Sequence, residues 1–415
     1  MDLTRNPPVA HDPHARAYRV LFNEDSVRIA KLLGGAPAHL RHDCLSCHAV
    51  PGTDPHVIPD SIAEGVGCAA CHGADEKWLT VHYLPGWKQL SNRQKADYGF
   101  TPTKNLVARV SACAACHVGD STREVNHDLI AAGHPRLNFE YTRFHFSPAY
   151  RKHWADPEPD RVTKVNEFEV RAWAIGQVAS LRAAADLLRA RAEKAGGTWP
   201  EFAGHSCYAC HQTVGDRDPR GVAGPTRALG WPAWEPWYTT AVPAALAVGK
   251  DMAAGLPTDV GEKLVALQKV MNRPESTRER GRGDARAAAA ALVGALDRWL
   301  AVIQVAEDNH HLALPTDTPA RVAVRLAGSA TGATEWDELA QQYLGCAAAY
   351  HATGGHAGHP DWTEPLTAIK TGLAFPRSGG VRWDSPVGFD RDKMNQVRMP
   401  FLRLTGGNGT PGGDR

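Results

Sequence analysis

Four copies of Cys-x-x-Cys-His stand between residues 44 and 211: Cys44, Cys47 and His48; Cys68, Cys71 and His72; Cys113, Cys116 and His117; Cys207, Cys210 and His211. On a helix the two thiols of such a unit lie about one turn apart. That spacing suits two thioether bonds to the vinyl groups of one porphyrin, and the adjoining imidazole then reaches the iron. The sequence therefore predicts four covalently attached c-type haems, with His48, His72, His117 and His211 as proximal iron ligands. It also constrains the fold, because four large flat macrocycles supply an interior that the surrounding chain lacks.

Paired CxxC units also serve structural zinc, so the histidine after each second cysteine decides between the two. With 20 His in 415 residues, chance places one after all four pairs roughly once in two hundred thousand trials, and zinc ribbons have no need of it. The same arithmetic disfavours thioredoxin-like redox pairs. A two-residue spacing repeated four times also suits a cofactor better than a disulfide framework. The ninth cysteine, Cys346, falls on an apolar helical stripe and reads as a buried, inert thiol.

Composition is that of an ordinary globular chain, 43% hydrophobic and 22% charged, long enough for two or three domains. No run approaches the roughly 20 apolar residues of a membrane span. The formal charge of +1 falls to about −3 once each ferric haem contributes about −1, and nothing points to nucleic acid. Haem is joined to CxxCH outside the cytoplasmic membrane, so the expected compartment is the periplasm. Residues 1–18 carry neither a basic n-region nor an apolar h-region, so a signal is expected upstream of Met1.

The fold class expected is mainly α, in five parts. Residues 1–43 form an N-terminal arm. Residues 44–215 form a tetrahaem domain with little strand, in which Phe168, Ile175, Val178, Leu181, Ala185 and Leu188 mark a helix that stops at Gly196-Gly197 and closes the side of the haem stack. Residues 216–238 read as a linker or irregular surface whose Trp231, Trp234 and Trp237 pack over a haem edge or over the junction between domains. Residues 239–375 carry three helical stripes: Val260, Leu264, Leu267 and Met271; Leu292, Leu296, Trp299 and Ile303; Trp336, Leu339, Tyr343, Cys346 and Tyr350. Thr334 with Asp337 and Asp361 with Glu364 have capping-box spacing. Arg273, Arg278, Arg280, Arg282 and Arg286 read as a solvated connection, and residues 376–415 as an irregular Gly- and Pro-rich tail.

The sixth iron position separates function classes: four imidazole-saturated irons only move electrons, while one open position admits a small molecule. Candidate distal ligands are His127 and His134, which flank an apolar turn after the third motif, then His82, His14 and His39. His42 is nearly fused to its own motif. His310, His311, His351, His356 and His359 read as solvated loop residues of the helical part.

The four motifs, the context Gly65-Val66-Gly67-Cys68-Ala69-Ala70-Cys71-His72-Gly73 and residues 127–140 resemble the multihaem c-type cytochromes related to the nitrifier tetrahaem cytochrome that accepts electrons from hydroxylamine oxidoreductase. The likeness spans about residues 44–215. It implies a mostly helical fold around closely packed haem pairs, mainly bis-histidine iron and, in some members, one five-coordinate haem. The helical extension departs from the compact nitrifier protein. The function expected is electron transfer between periplasmic or membrane-associated redox proteins, with a docking role in a larger respiratory assembly open to the extension. The alternative is an enzyme reducing a small nitrogen or sulfur oxide at a five-coordinate haem; no lysine-for-histidine variant of the motif appears, which weakens a nitrite-reductase-type reading.

Overall fold

Helical periodicity governs most of the chain, and in the computed structural model those stripes become helices joined by turns. The structure describes residues 12–50, 65–147, 168–211, 228, 230–309, 314–374 and 391–405. In chain order the helices are α1 (Glu24–Leu33), α2 (His42–His48), α3 (Cys68–His72), α4 (Asn92–Asp97), α5 (Leu106–His117), α6 (His127–Ala132), α7 (Tyr141–His145), α8 (Phe168–Glu193) and α9 (Cys207–Cys210). They continue with α10 (Pro236–Thr239), α11 (Val242–Met252), α12 (Val260–Met271), α13 (Glu279–Asp308), α14 (Thr318–Ala330), α15 (Trp336–Ala352), α16 (Pro360–Leu373) and α17 (Arg391–Leu404). Among the described residues the only β pairing is an isolated bridge between His205 and Trp234. The fold is mainly α, as the sequence predicts.

Short polar side chains set the helix starts in the motif region. Asn23, Asn105 and Asn126 accept backbone N–H bonds at the heads of α1, α5 and α6, and Ser91 forms a capping box with Gln94 on α4. Gly133 ends α6 at φ 113°, a conformation costly for any residue with a Cβ. The expected caps further on are different. Glu335, not Thr334, pairs with Glu338 in the capping box of α15, because Asp337 is committed elsewhere. No side chain caps α16, where Asp361 only occupies the first turn.

The helix beginning at Phe168 lies at the centre of the fold. Sixteen of the 26 residues of α8 are buried, around most of its circumference, the pattern of a central helix. It packs against α5, which ends in the third motif, and against α11, α13 and α15. One core thus runs from Leu106 to Leu404 and takes in Trp234, Trp237 and Tyr238. Trp237 stacks on Trp336 with ring centroids 6.0 Å apart and donates its indole N–H to Phe139 O, so this tryptophan has a packing role, as expected.

Three expectations need correction. The final stretch is not wholly irregular: Met394, Val397, Phe401 and Leu404 recur at steps of three and four and are buried along α17, which lies on α16 and α14. Pro400 inside that helix masked its period. Helix α13 is, by length and composition, apolar enough to cross a membrane; its apolar character comes largely from alanine and not from a run of large side chains, and its apolar face, from Gly281 to Ile303, is buried against neighbouring helices. The arginine run is solvated as expected at Arg273, Arg278, Arg280 and Arg286, which are exposed, but it is largely the start of α13 and not a connection, and there Arg282 donates to Ala192 O at 2.9 Å and to Lys194 O, above the Trp199 ring. The Pro219 to Pro225 part of the linker, His310 and His311, and residues 375–390 and 406–415 lie outside the described residues.

Candidate functional site

Each CxxCH unit occupies a helix or its end: α2, α3, the last turn of α5, and α9. The ring of His48 donates Nδ1–H to Ala17 O at 2.9 Å, and that of His72 to Thr101 O at 3.0 Å. A carbonyl can only accept, so these bonds fix the proton on Nδ1 and leave the Nε2 lone pair for a metal. Burial lowers the pKa of His48, and it pushes His117 down to about 4 with help from the charges of His14 and His48. Both rings are therefore neutral at pH 7, the form that binds iron.

The first three motifs converge. Cys47 hydrogen-bonds Cys116, which lowers Cys116 to about 6, aided by Arg123 Nη1 at 3.5 Å from the sulfur. Burial raises Cys44 and Cys71 to about 11 and Cys113 to about 12, and Cys71 also feels the charges of Cys116 and Cys68. The fourth motif has a different neighbourhood: Cys207 is raised by burial and surrounded by Arg136, Asp337 and Glu235. There Glu235, held at φ 43° in the left-handed region, is pushed up to about 7 by burial.

Two of the candidate distal residues meet proximal ones. His14 lies edge to face with His117, centroids 6.0 Å apart and planes at 79°; His134 lies likewise with His48, at 6.5 Å and 87°. Two imidazoles bound to one metal through nitrogens at about 2.0–2.1 Å have centroids roughly 6 Å apart. Plain edge-to-face packing gives the same separation, but the hydrogen bonds favour ligands. His14 Nδ1 is 3.0 Å from Asp12 Oδ1 and His134 Nδ1 is 2.7 Å from Pro135 O, so on both rings this hydrogen bond runs through Nδ1, as on His48.

The other candidates are placed differently. His82 donates Nδ1–H to Leu79 O at 2.7 Å, yet Trp78 lies between it and His72, at 5.6 Å from one ring and 6.2 Å from the other. His72 itself stacks on Phe100 at 4.6 Å. His127 is exposed, and its backbone N–H donates to Glu201 Oε1 at 3.0 Å. His39 stacks on Phe22 at 4.4 Å, His42 is exposed at the start of α2, and His211 is exposed at the end of α9. In the second half, His356 Nδ1 is 3.0 Å from Thr363 Oγ1 and His359 stacks on Trp362 at 4.1 Å. Sequence reading passed over Trp78 and Phe100, which pack against the ring of His72.

Residues 10–73 match the family described as cytochrome c554 and c-prime. The match includes His14 and the first two motifs. It supports a multihaem c-type cytochrome that carries electrons through covalently attached haem. Neither a curated protein nor a solved structure matches the chain.

The protein surface around the motifs fits such a cofactor. From residue 66 to residue 104 the one buried side chain is Trp78, too little to hold a segment of that length by itself. Eleven of the sixteen large hydrophobic residues left exposed, including Phe22, Leu79, Tyr83 and Phe144, lie before residue 212, a region with about as many described residues as the rest. Apolar faces beside exposed cysteines are what a macrocycle would cover.

Proposed function

We propose that this chain is a tetrahaem c-type cytochrome that passes single electrons between redox partners in the periplasm. The observation that carries the reading is the pairing of His48 with His134 and of His117 with His14, each at a separation suited to two axial ligands of one iron. Bound haem supplies a one-electron ferric/ferrous couple. The chain does the rest. Ala17 and Thr101 hold Nδ1–H of His48 and His72, which fixes each ring and strengthens Nε2 as a donor. Burial keeps His48 and His117 neutral and limits water. The contact of Cys47 with Cys116 sets the attachment points of the first and third cofactors side by side, an arrangement suited to transfer within the chain. The partner class is a periplasmic or membrane-associated redox protein, and the helices from α11 onward provide a surface for assembly into a larger complex.

Expression alongside a cytochrome maturation system tests this directly: the denatured polypeptide should carry about four haem masses, and the oxidised protein should be mainly low-spin. Bound zinc without haem absorbance would sink the proposal.

A further inference from the structure

Glu235 holds three costly features together at one position. Its backbone sits at φ 43°, in the left-handed region that disfavours a residue with a Cβ. Among the described residues only its backbone enters hydrogen bonds, donating to Gly204 O at 2.8 Å and accepting from Tyr238 and Thr239 N–H at 3.0 Å each, so the carboxylate is left without a direct partner. Burial pushes that carboxyl up to about 7. Strain and a displaced proton affinity collect where a protein does chemistry.

Charged and titratable groups reach Glu235 from every element around it. Arg191 on α8 is paired with Glu124, Nε to Oε2 at 2.8 Å, and Arg136 is paired with Asp337 of α15. Both guanidinium groups attract the Glu235 carboxylate and Asp337 repels it, but each arginine is already engaged by another acid. The two ion pairs balance, and neither leaves a cation over for Glu235. Tyr238 on α10 donates its hydroxyl to Leu137 O at 2.8 Å. The segment before α9 brings Glu201, whose Oε1 accepts the His127 and Ala203 N–H at 3.0 Å each, and His205, held neutral by burial. Cys207, the first cysteine of the fourth motif, lies within reach of the Glu235 charge.

The acid is not sealed off. Part of its surface stays accessible, and with Arg136, Arg191 and Tyr238 it lines a cavity of about 30 Å³ that Val118, Ile130 and Leu187 close on the apolar side. That is room for one water, with polar groups enough to hold it, and hence for a proton carrier. Gly204 keeps the approach open, since a Cβ there would stand 2.9 Å from Glu235 Oε1. Gly204 also precedes Cys207 by three residues and bonds Glu235 through the backbone, which ties the acid to the fourth attachment point.

We propose that Glu235 is a proton acceptor coupled to the haem of the fourth motif, its carboxylate taking one proton from solvent as that haem takes one electron from a redox partner. Ferric iron becomes ferrous, an O–H bond forms on the carboxylate, and the net charge of the site is unchanged; reoxidation breaks the same bond and returns the proton. A unit charge about 10 Å away alters the proton affinity of a buried acid roughly tenfold. By linkage the proton favours reduction of that haem by the same factor.

This inference rests on the tetrahaem reading, and the two can fail separately. The experiment follows the four reduction midpoints of the wild-type holoprotein and of Glu235→Gln across neutral pH, and counts the protons taken up on full reduction. In the wild type one midpoint should fall as pH rises through about 7. In Glu235→Gln that midpoint should fall less steeply, and reduction near pH 7 should draw fewer protons. Redox-difference infrared spectra of the wild type should gain a carboxylic acid C=O band on reduction and lose it on reoxidation, a readout that stands even where the variant does not fold. Four haems with the same pH dependence and proton count in both proteins would overturn the proposal and assign the protons to the haem propionates. Midpoints that do not move with pH near neutrality, or no such infrared band, would overturn it too. Absence of haem from the wild type would instead overturn the tetrahaem reading.

Discussion

Arg136 and Asp337 form a two-pronged ion pair, Nη1 to Oδ1 at 3.0 Å and Nη2 to Oδ2 at 2.6 Å, with side chains only 9% and 5% exposed. The pair joins the segment after α6 to the first turn of α15, beside Cys207 of the fourth motif. Burial opposes the charge on Arg136, and the attraction of Asp337 outweighs it, so the guanidinium proton is held more tightly than usual.

Removing one partner strands the other. Asp337→Ala is expected to cost about 3–5 kcal/mol, because the buried guanidinium loses its counter-charge. Chemical denaturation of the holoprotein measures this, and a loss below about 1 kcal/mol would show that the pair is solvated in solution.

Replacing His134 or His14 by Ala should each convert one haem from low-spin to high-spin while the covalent count stays at four. Electron paramagnetic resonance reads the change. The double variant should convert two haems, since the rings face different motif histidines, His48 and His117. Conversion of a single haem in the double variant would contradict the pairing.

Glu235 gives stability a definite pH dependence. Its folded pKa is raised to about 7 against an ordinary 4.5, by burial first, with Arg191 and Arg136 opposing and Asp337 adding to the rise. A raised carboxyl pKa means that the unfolded chain ionises first as pH increases. The contribution is thus full below about 4.5 and is lost as pH climbs to about 7, by up to about 3 kcal/mol. Glu235→Gln should remove that fall. Parallel denaturation midpoints of wild type and variant from pH 4.5 to 7.5 would refute it.

Phe401 is fully buried on α17. Phe401→Ala should cost about 3–5 kcal/mol by lost burial and a residual cavity. A thermal unfolding scan that shows no shift would mean that α17 does not dock in solution.

Cys346 is 0% exposed, with Sγ 3.6 Å from Ala323 O and its pKa raised by burial. Cys346→Ala should leave haem content and spectra unchanged and cost about 1 kcal/mol. Loss of one haem would show that this thiol takes part in attachment.

The sequence by itself determined the features whose physics is local. The stripes from Val260 to Met271 and from Leu292 to Ile303 carry their own period and are helices α12 and α13, and the five consecutive residues of each motif hold all that the expected attachment chemistry needs. Tertiary structure decided whatever depends on residues distant along the chain. His14 meets His117 across 103 positions and His134 meets His48 across 86; local spacing put His127 and His82 ahead of His14, yet those two face elsewhere, because such meetings depend on packing between segments distant along the chain. Asp337 has capping-box spacing yet is drawn to Arg136, because a buried guanidinium needs a counter-charge more than a helix end needs a third acceptor. The amphipathic face of α17 hid behind Pro400, since its worth as a helix comes from the surface of α16 and α14 that it covers and not from its own propensity.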